Sequence, residues 1–325
     1  MTAKGKLLGY IGALFVSAIL IVSMTGYFNF KSSSVEDSIE KLKLESFLIS
    51  NALDQRMQRY FDSLESIRSD LPIGKNNYID EEKTNIKFQE IKESLGVLSV
   101  YAGLANGKTY IEKTGELPNF NAKDKAREWF LRIFAGEKRI ITTPYNAADG
   151  KYVMALAVPI LRDNEIVSTL NLNLPVNSIT SFAASLSETG QLIVSRSDGF
   201  IMASPDTDSI GKNIFDIFPS FKEHFDKETS QHTYRYKGED YLVSSAKVAS
   251  LGWTVWSWDT TSHINAASNS NLAQGLIFSI ILILISLVII YLTVVKLMYK
   301  PIGGEPKEIE ELVKRVANGD LTLNT

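Results

Sequence analysis

Two uncharged apolar runs, one near each end of the chain, constrain its fold more than any other feature. The first, Leu7–Phe28, is 22 residues long (LLGYIGALFVSAILIVSMTGYF), and the second, Leu272–Val295, is 24 (LAQGLIFSIILILISLVIIYLTVV). A helix of about 20 apolar residues crosses the hydrocarbon core of a bilayer, so both runs are long enough to span. A cleaved signal peptide describes the first run poorly. Its apolar stretch exceeds the usual length, and no small-x-small cleavage site follows it. A buried core helix describes the second poorly, because it is apolar on all sides and bounded by Asn271 and Lys296. Both are read as transmembrane helices, spanning 7–28 and 272–295.

The flanks set the orientation. Lys4 and Lys6 precede the first span, Lys296 and Lys300 follow the second, and no basic cluster borders the segment between them. The positive-inside rule then places residues 1–6 and 296–325 in the cytoplasm and residues 31–271 outside. That exported segment holds 27 of the 34 basic and 32 of the 37 acidic residues, a net charge of −5. The chain has no cysteine and three scattered histidines, His224, His232 and His263. Disulfides, thiolate nucleophiles and Cys- or His-built metal centres are thereby excluded. No GxSxG, no histidine in a motif and no paired carboxylates stand out, so neither enzymatic activity nor a metal or cofactor is expected. The slightly acidic balance argues against a nucleic-acid partner.

Within the exported segment, apolar or small residues recur at Val35, Ile39, Leu42, Ser46, Ile49, Leu53, Met57, Tyr60, Leu64, Ile67 and Leu71. Steps of three and four predict one long amphipathic helix over 35–71, a stalk ended by Pro72 and Gly74. Beyond it the period shortens. Val97–Ala105, Thr109–Lys113, Tyr152–Ile160 and Ile166–Leu174 read as strands, Lys123–Phe134 as a helix and Val176–Leu186 as a connecting helix. A second set follows at Leu192–Ser195, Phe200–Ala203, Thr233–Tyr236, Tyr241–Val248 and Trp253–Trp258, with Asp198–Gly199 and Lys237–Gly238 as hairpin turns. Trp256 and Trp258 share one strand face and Trp253 the other, which suits core filling better than a stacking platform. By its residues alone, Arg127-Glu128-Trp129-Phe130 reads as a helix with an aromatic core face and a solvated ion pair.

The stalk, the stretch RxWF…PY…DGKYVMALAVPI and the later TGQLIVSRSDGFIMASPDTDSIGKNI together resemble a double Cache (dCache_1) sensor domain. The end, PIGGEPKEIEELVKRVANGDLTL, resembles the start of a HAMP linker, with Pro301, Glu308 and Gly319-Asp320 at its expected positions. Ile309, Leu312 and Val316 form a short stripe there, suited to a dimeric parallel bundle. The whole resembles the receptor half of a bacterial methyl-accepting chemotaxis protein. The resemblance implies an α+β fold: a long N-terminal stalk helix and two PAS-like antiparallel-sheet modules, flanked by the two transmembrane helices. The membrane-distal module would cover about 75–180 and the membrane-proximal one about 187–262.

The resemblance also implies a ligand site in the distal module. Arg127 and Trp129 match positions that hold a ligand carboxylate in amino-acid-binding relatives, Tyr145 matches an aromatic hydroxyl, and Phe130 stands at a position commonly Tyr. A planar guanidinium grips a carboxylate in a two-point fork, and aromatic walls exclude water. The other half of the pattern is missing: Ala122, Ala147 and Asn173 stand where Tyr, Asp and Asp would be, the last of these the partner of an α-ammonium. The expected ligand is therefore a small carboxylate-bearing molecule, with amino acids as the alternative. The expected protein is a homodimeric receptor of the bacterial inner (cytoplasmic) membrane, its sensor periplasmic or extracellular and both termini cytoplasmic. Its cytoplasmic chemotaxis signalling partners would act through a region beyond Thr325. The sensor half of a histidine kinase or diguanylate cyclase is the alternative output.

Overall fold

A computed structural model describes residues 3–188, 191–300 and 306–318. They divide into two compact units: Ile39–Thr261, and a second made from the chain up to Ser38 and from Ser262 onward.

The globular unit is organised on helix α1 (Ala3–Ile67), whose residues from Ile39 belong to it. No glycine or proline interrupts this stretch, and Leu42, Ile49, Leu53, Met57, Tyr60 and Leu64 lie buried at helical spacing. The helix stops four residues before the predicted end at Leu71, in a turn where Asp70 N–H donates to the Ile67 carbonyl at 2.9 Å. Pro72 restricts Leu71 to extended geometry, so the helix cannot run up to it. Helix α2 (Glu81–Leu95) follows, capped by Asp80, which accepts from Lys83 N–H, and closed by Gly96 at φ 63°. Pattern reading missed α2 because its buried side is only Thr84, Phe88 and Ile91, too narrow a stripe to stand out.

The first sheet comprises β1 (Ser99–Leu104), β2 (Lys108–Ile111), β3 (Gly115–Asn121), β4 (Ile140–Ile141), β5 (Tyr145–Asn146), β6 (Tyr152–Arg162) and β7 (Glu165–Pro175), with α3 (Glu128–Phe134) between β3 and β4. Its strand order is β3-β2-β1-β7-β6-β4, with β5 also on β6, and every pairing is antiparallel. Both faces of β1, β6 and β7 are covered, which explains their near-continuous apolar runs. Val100, Ala102, Met154, Leu156, Val158, Leu170 and Leu172 pack into the same core as the stalk. Tyr101, Ala155 and Ala157 face the other way, onto Trp129, Phe130 and Ile133 of α3.

Helix α4 (Val176–Ser185) leads to the second sheet: β8 (Leu192–Ser195), β9 (Ile201–Ala203), β10 (Thr229–Tyr236), β11 (Glu239–Val248) and β12 (Trp253–Thr260), in the order β10-β11-β12-β8-β9. The short helix α5 (Ile214–Ile217) and a 3-10 turn, Pro219–Glu223, cross between β9 and β10. Val194, Met202, Val248, Trp253 and Val255 join the stalk core. Trp256 fills a separate cluster with Ile193, Phe221 and Val243, and Trp258 packs at its margin. The indole N–H of Trp256 donates to Ser195 Oγ at 2.8 Å, so these tryptophans are core. The architecture is α+β, a long N-terminal helix with two antiparallel-sheet modules.

In the second unit, the early part of α1 meets α6 (Thr261–Thr293), where Ser23 Oγ lies 2.6 Å from Ser279 Oγ. Both are long and apolar enough to cross a membrane, and Ile21, Val22, Phe278, Leu284 and Ile289 turn outward. A π-helical segment, Val294–Tyr299, continues α6, and α7 (Pro306–Ala317) presents Leu312 and Val316 to the outside. The linker positions Pro301, Gly303–Glu305, Gly319 and Asp320 lie outside the described residues.

Candidate functional site: an arginine-bearing cavity in the first module

On the α3 side of the first sheet, β6 carries Ala155 and Ala157 where its other face carries Met154, Leu156 and Val158. Beside that packing, Ser99, Tyr101, Trp129 and Asn173 border a cavity of about 400 Å³. The strand register brings its polar floor together: Ser99 pairs with Asn173, and Asn173 pairs with Ala155.

The segment before α3 places the arginine. Asn121 Oδ1 accepts from the Lys123 and Asp124 N–H groups at 2.9 and 3.2 Å, and Ala126 adopts φ 47°. This side-chain turn replaces the first residues of the helix predicted over 123–134, because an Asn that bonds the backbone ahead of it competes with helix formation. Arg127 is consequently extended, at φ −63° and ψ 127°, at the N-cap of α3. Its guanidinium lies between two rings, 5.4 Å from the centre of Phe120 and 5.1 Å from that of Tyr145. Its buried Nε has no hydrogen-bond partner, and among the described residues no carboxylate pairs with it.

Trp129 is 2% exposed and stands edge-on to Tyr101, ring centres 5.2 Å apart. It fits because Gly103 lies beneath it: a Cβ there would come within 2.5 Å of the indole. The Tyr101 and Tyr145 hydroxyls lie 3.1 Å apart, each also 3.1 Å from Asn173 Oδ1, and Asn173 Nδ2 donates to Ser99 Oγ at 3.0 Å. Burial raises both phenols above their ordinary pKa; Arg127 opposes this without reversing it. Both hydroxyls are therefore protonated at neutral pH.

Lys92, Lys113, Arg127 and Lys151 line the cavity against Glu112 and Asp149. Both acids are engaged. Glu112, its side chain 5% exposed, takes the Lys92 ammonium at 2.6 Å and the Val100 N–H at 3.0 Å. Asp149 pairs with Lys151 at 3.2 Å and caps the same residue's N–H, as the Asp-Gly turn suggests.

Of the sequence-expected residues, Arg127, Trp129, Tyr145 and Asn173 line this cavity. Phe130 does not. It is buried in the apolar cluster behind, against Trp129 and Phe134. Tyr101, Ser99, Phe120, Glu112 and Lys92 were missed. Tyr101 and Ser99 alternate along β1, a pattern consistent with one face but silent about which element covers it. A second cavity of about 520 Å³ carries Arg132, Arg139 and Arg196, but each guanidinium there is already held by a carboxylate.

Residues 30–267 match the dCache_1 family model, a Cache domain. McpB of Bacillus subtilis, a methyl-accepting chemotaxis protein, is 23% identical over 318 residues, covering 95% of this chain and 46% of that protein. The chain spans less than half the length of the curated relatives it matches. Among solved structures, the ligand-binding domain of the Pseudomonas fluorescens chemoreceptor CtaA, in complex with L-isoleucine, superposes with a TM-score of 0.61. It is 15% identical and covers 74% of this chain and 99% of its own. The sensory domain of the Campylobacter jejuni chemoreceptor Tlp3, with isoleucine bound, gives 0.58 at 18% identity, covering 72% and 97%. These two likenesses establish the fold. With the family match spanning the stalk, both sheets and the cavity, the chain belongs to the dCache_1 family of Cache domains.

Proposed function

We propose that this chain is the receptor half of a bacterial methyl-accepting chemotaxis protein and binds a small carboxylate in the cavity of its membrane-distal module. The observation that carries this reading is Arg127: a guanidinium held between Phe120 and Tyr145, with a buried, unpartnered Nε. An unpaired cation between apolar rings is costly until an anion meets it. A carboxylate supplies two acceptors in the plane of the fork. Trp129 and Phe120 wall the site, with Tyr145 closing it.

In this reading the module over about 75–180 senses, and the module over about 187–262 lies nearer the inner membrane. Spans 7–28 and 272–295 cross that membrane in a homodimer, with both termini cytoplasmic. Binding biases two arrangements of the stalk and the second span, and the HAMP-type segment passes the bias to chemotaxis signalling proteins. The ligand must bind the two arrangements with different affinity, or nothing is transmitted.

Calorimetry on the chain in lipid nanodiscs, against a panel of small carboxylates and amino acids, tests the binding step. A subset should bind, and Arg127→Ala should weaken it by roughly 10- to 100-fold, the loss of a charge-assisted pair. No binder anywhere in the panel would sink the proposal. α-Amino acids are the second reading, supported by the structural relatives solved with isoleucine.

A further inference from the structure

We infer that the ligand is a hydroxylated carboxylate of the 2-hydroxy acid type, its hydroxyl donating to the Tyr101 oxygen beside Tyr145 and Asn173, and that α-amino acids are disfavoured. This inference rests on the carboxylate reading of Arg127.

Three oxygens, Tyr101 Oη, Tyr145 Oη and Asn173 Oδ1, stand at 3.1 Å from one another. Each phenol brings one proton and the amide oxygen none, so two protons serve three contacts. One edge of the triangle is always bare. When both phenols donate to Asn173, no proton lies between the two phenol oxygens, and the lone pairs of Tyr101 are left without a donor. The site therefore lacks one external donor, and a ligand O–H or N–H supplies it.

Charge selects between these two. The acceptor is neutral: Asn173 is an amide, and both phenols stay protonated because burial raises their pKa. Among the described residues the acids on the cavity wall are already engaged, Glu112 by Lys92 and Val100 N–H, Asp149 by Lys151. An ammonium entering the triangle would give up its water with no anion to meet it. A hydroxyl makes the same hydrogen bond without a charge to desolvate. The lining as a whole carries four cations against two anions, which suits an anion better than a zwitterion.

Two isosteric series test this on the full chain in lipid nanodiscs by calorimetry. One is 2-hydroxypropanoate, propanoate and alanine; the other is 2-hydroxy-4-methylpentanoate, 4-methylpentanoate and leucine. Within each series only the substituent beside the carboxylate changes. In at least one series the hydroxy acid should bind roughly three- to tenfold tighter than the plain acid, the net worth of one hydrogen bond. The amino acid should be weakest, at least about tenfold below the hydroxy acid. Asn173→Asp should reverse the last preference by giving the ammonium an anion. Tyr101→Phe, which keeps the ring packed on Trp129, should bring the hydroxy and plain acids within about twofold.

If the plain acid binds as well as the hydroxy acid and Arg127→Ala abolishes both, the carboxylate reading stands and this inference falls. If the amino acid binds wild type best, the inference falls in favour of the second reading. If no member of either series binds, this inference falls, while the carboxylate reading stands or falls by the wider panel.

Discussion

Arg139, in the loop ahead of β4, closes a two-point fork on Glu65 of the stalk helix: its Nε lies 2.9 Å from Oε1 and its Nη2 2.6 Å from Oε2. The same guanidinium reaches Asp62 at 2.9 Å and Gln58 at 2.7 Å and lies over the ring of Phe61. One residue of the first module thus holds four side chains on successive turns of α1.

The fork predicts a pH-dependent contribution to stability. Arg139→Ala should cost about 1 kcal/mol at neutral pH, given its partial exposure, or roughly 2–4 °C in Tm. The hydrogen bond from Arg139 holds the Glu65 carboxyl below its ordinary pKa, against a smaller opposing effect of burial. A depressed carboxyl contributes above the unfolded value and is lost as pH falls through the folded one. The difference in Tm between wild type and Arg139→Ala should be constant near neutrality and shrink below about pH 4. A difference that persists unchanged into strong acid would contradict this account.

Gly103 governs the tryptophan wall. A methyl group there would meet Trp129 at 2.5 and 2.9 Å and Thr169 Oγ1 at 3.1 Å. Gly103→Ala should displace the indole, cost about 1–3 kcal/mol and shift the tryptophan emission. Unchanged stability and emission would show that the ring has more freedom than its contacts suggest.

On the second sheet, His232 of β10 stacks face to face with His224, ring centres 4.0 Å apart and planes 1° from parallel. Burial, with help from His224 and Lys227, pushes the His232 pKa down to about 4. The unfolded chain takes this proton first, near about pH 6.5, so the neutral ring's contribution is complete above that value. It declines as pH falls from about 6.5 toward 4. Thermal unfolding of wild type and His232→Gln across this window should show a steeper fall for wild type. Parallel curves would exclude a titrating role for the stack.

Glu112 tests how the cavity wall is held. Glu112→Gln keeps the shape but leaves the Lys92 ammonium, 31% exposed, without its partner. About 1–2 kcal/mol should be lost, less than for a fully buried pair because Lys92 retains some water. Urea unfolding at neutral pH measures it, and an equal or higher midpoint would overturn the estimate.

Local pattern made much of this chain legible. Short apolar runs bounded by turn residues predicted β1, β6, β7 and most of the second sheet, because such a pattern needs only near neighbours. It lost α2, whose buried stripe is three residues wide. It also over-extended α3, where one side chain, Asn121, turns the backbone away from helix. Arg127, Trp129, Tyr145 and Asn173 were reached through motif resemblance. Tyr101 escaped because nothing in VLSVYAGLA says that its hydroxyl meets residues 44 and 72 positions away.

By itself, then, the sequence determined the two apolar spans, the stalk and the two-module order, since each follows from hydrophobicity over a short window. Only the tertiary structure decided that Phe130 packs behind the cavity and Phe120 beside Arg127. It alone brought Ser99, Asn173 and Ala155 into line across three strands. The reason is physical: a cavity is a property of register and of side chains drawn from several elements, and neither is encoded within one segment.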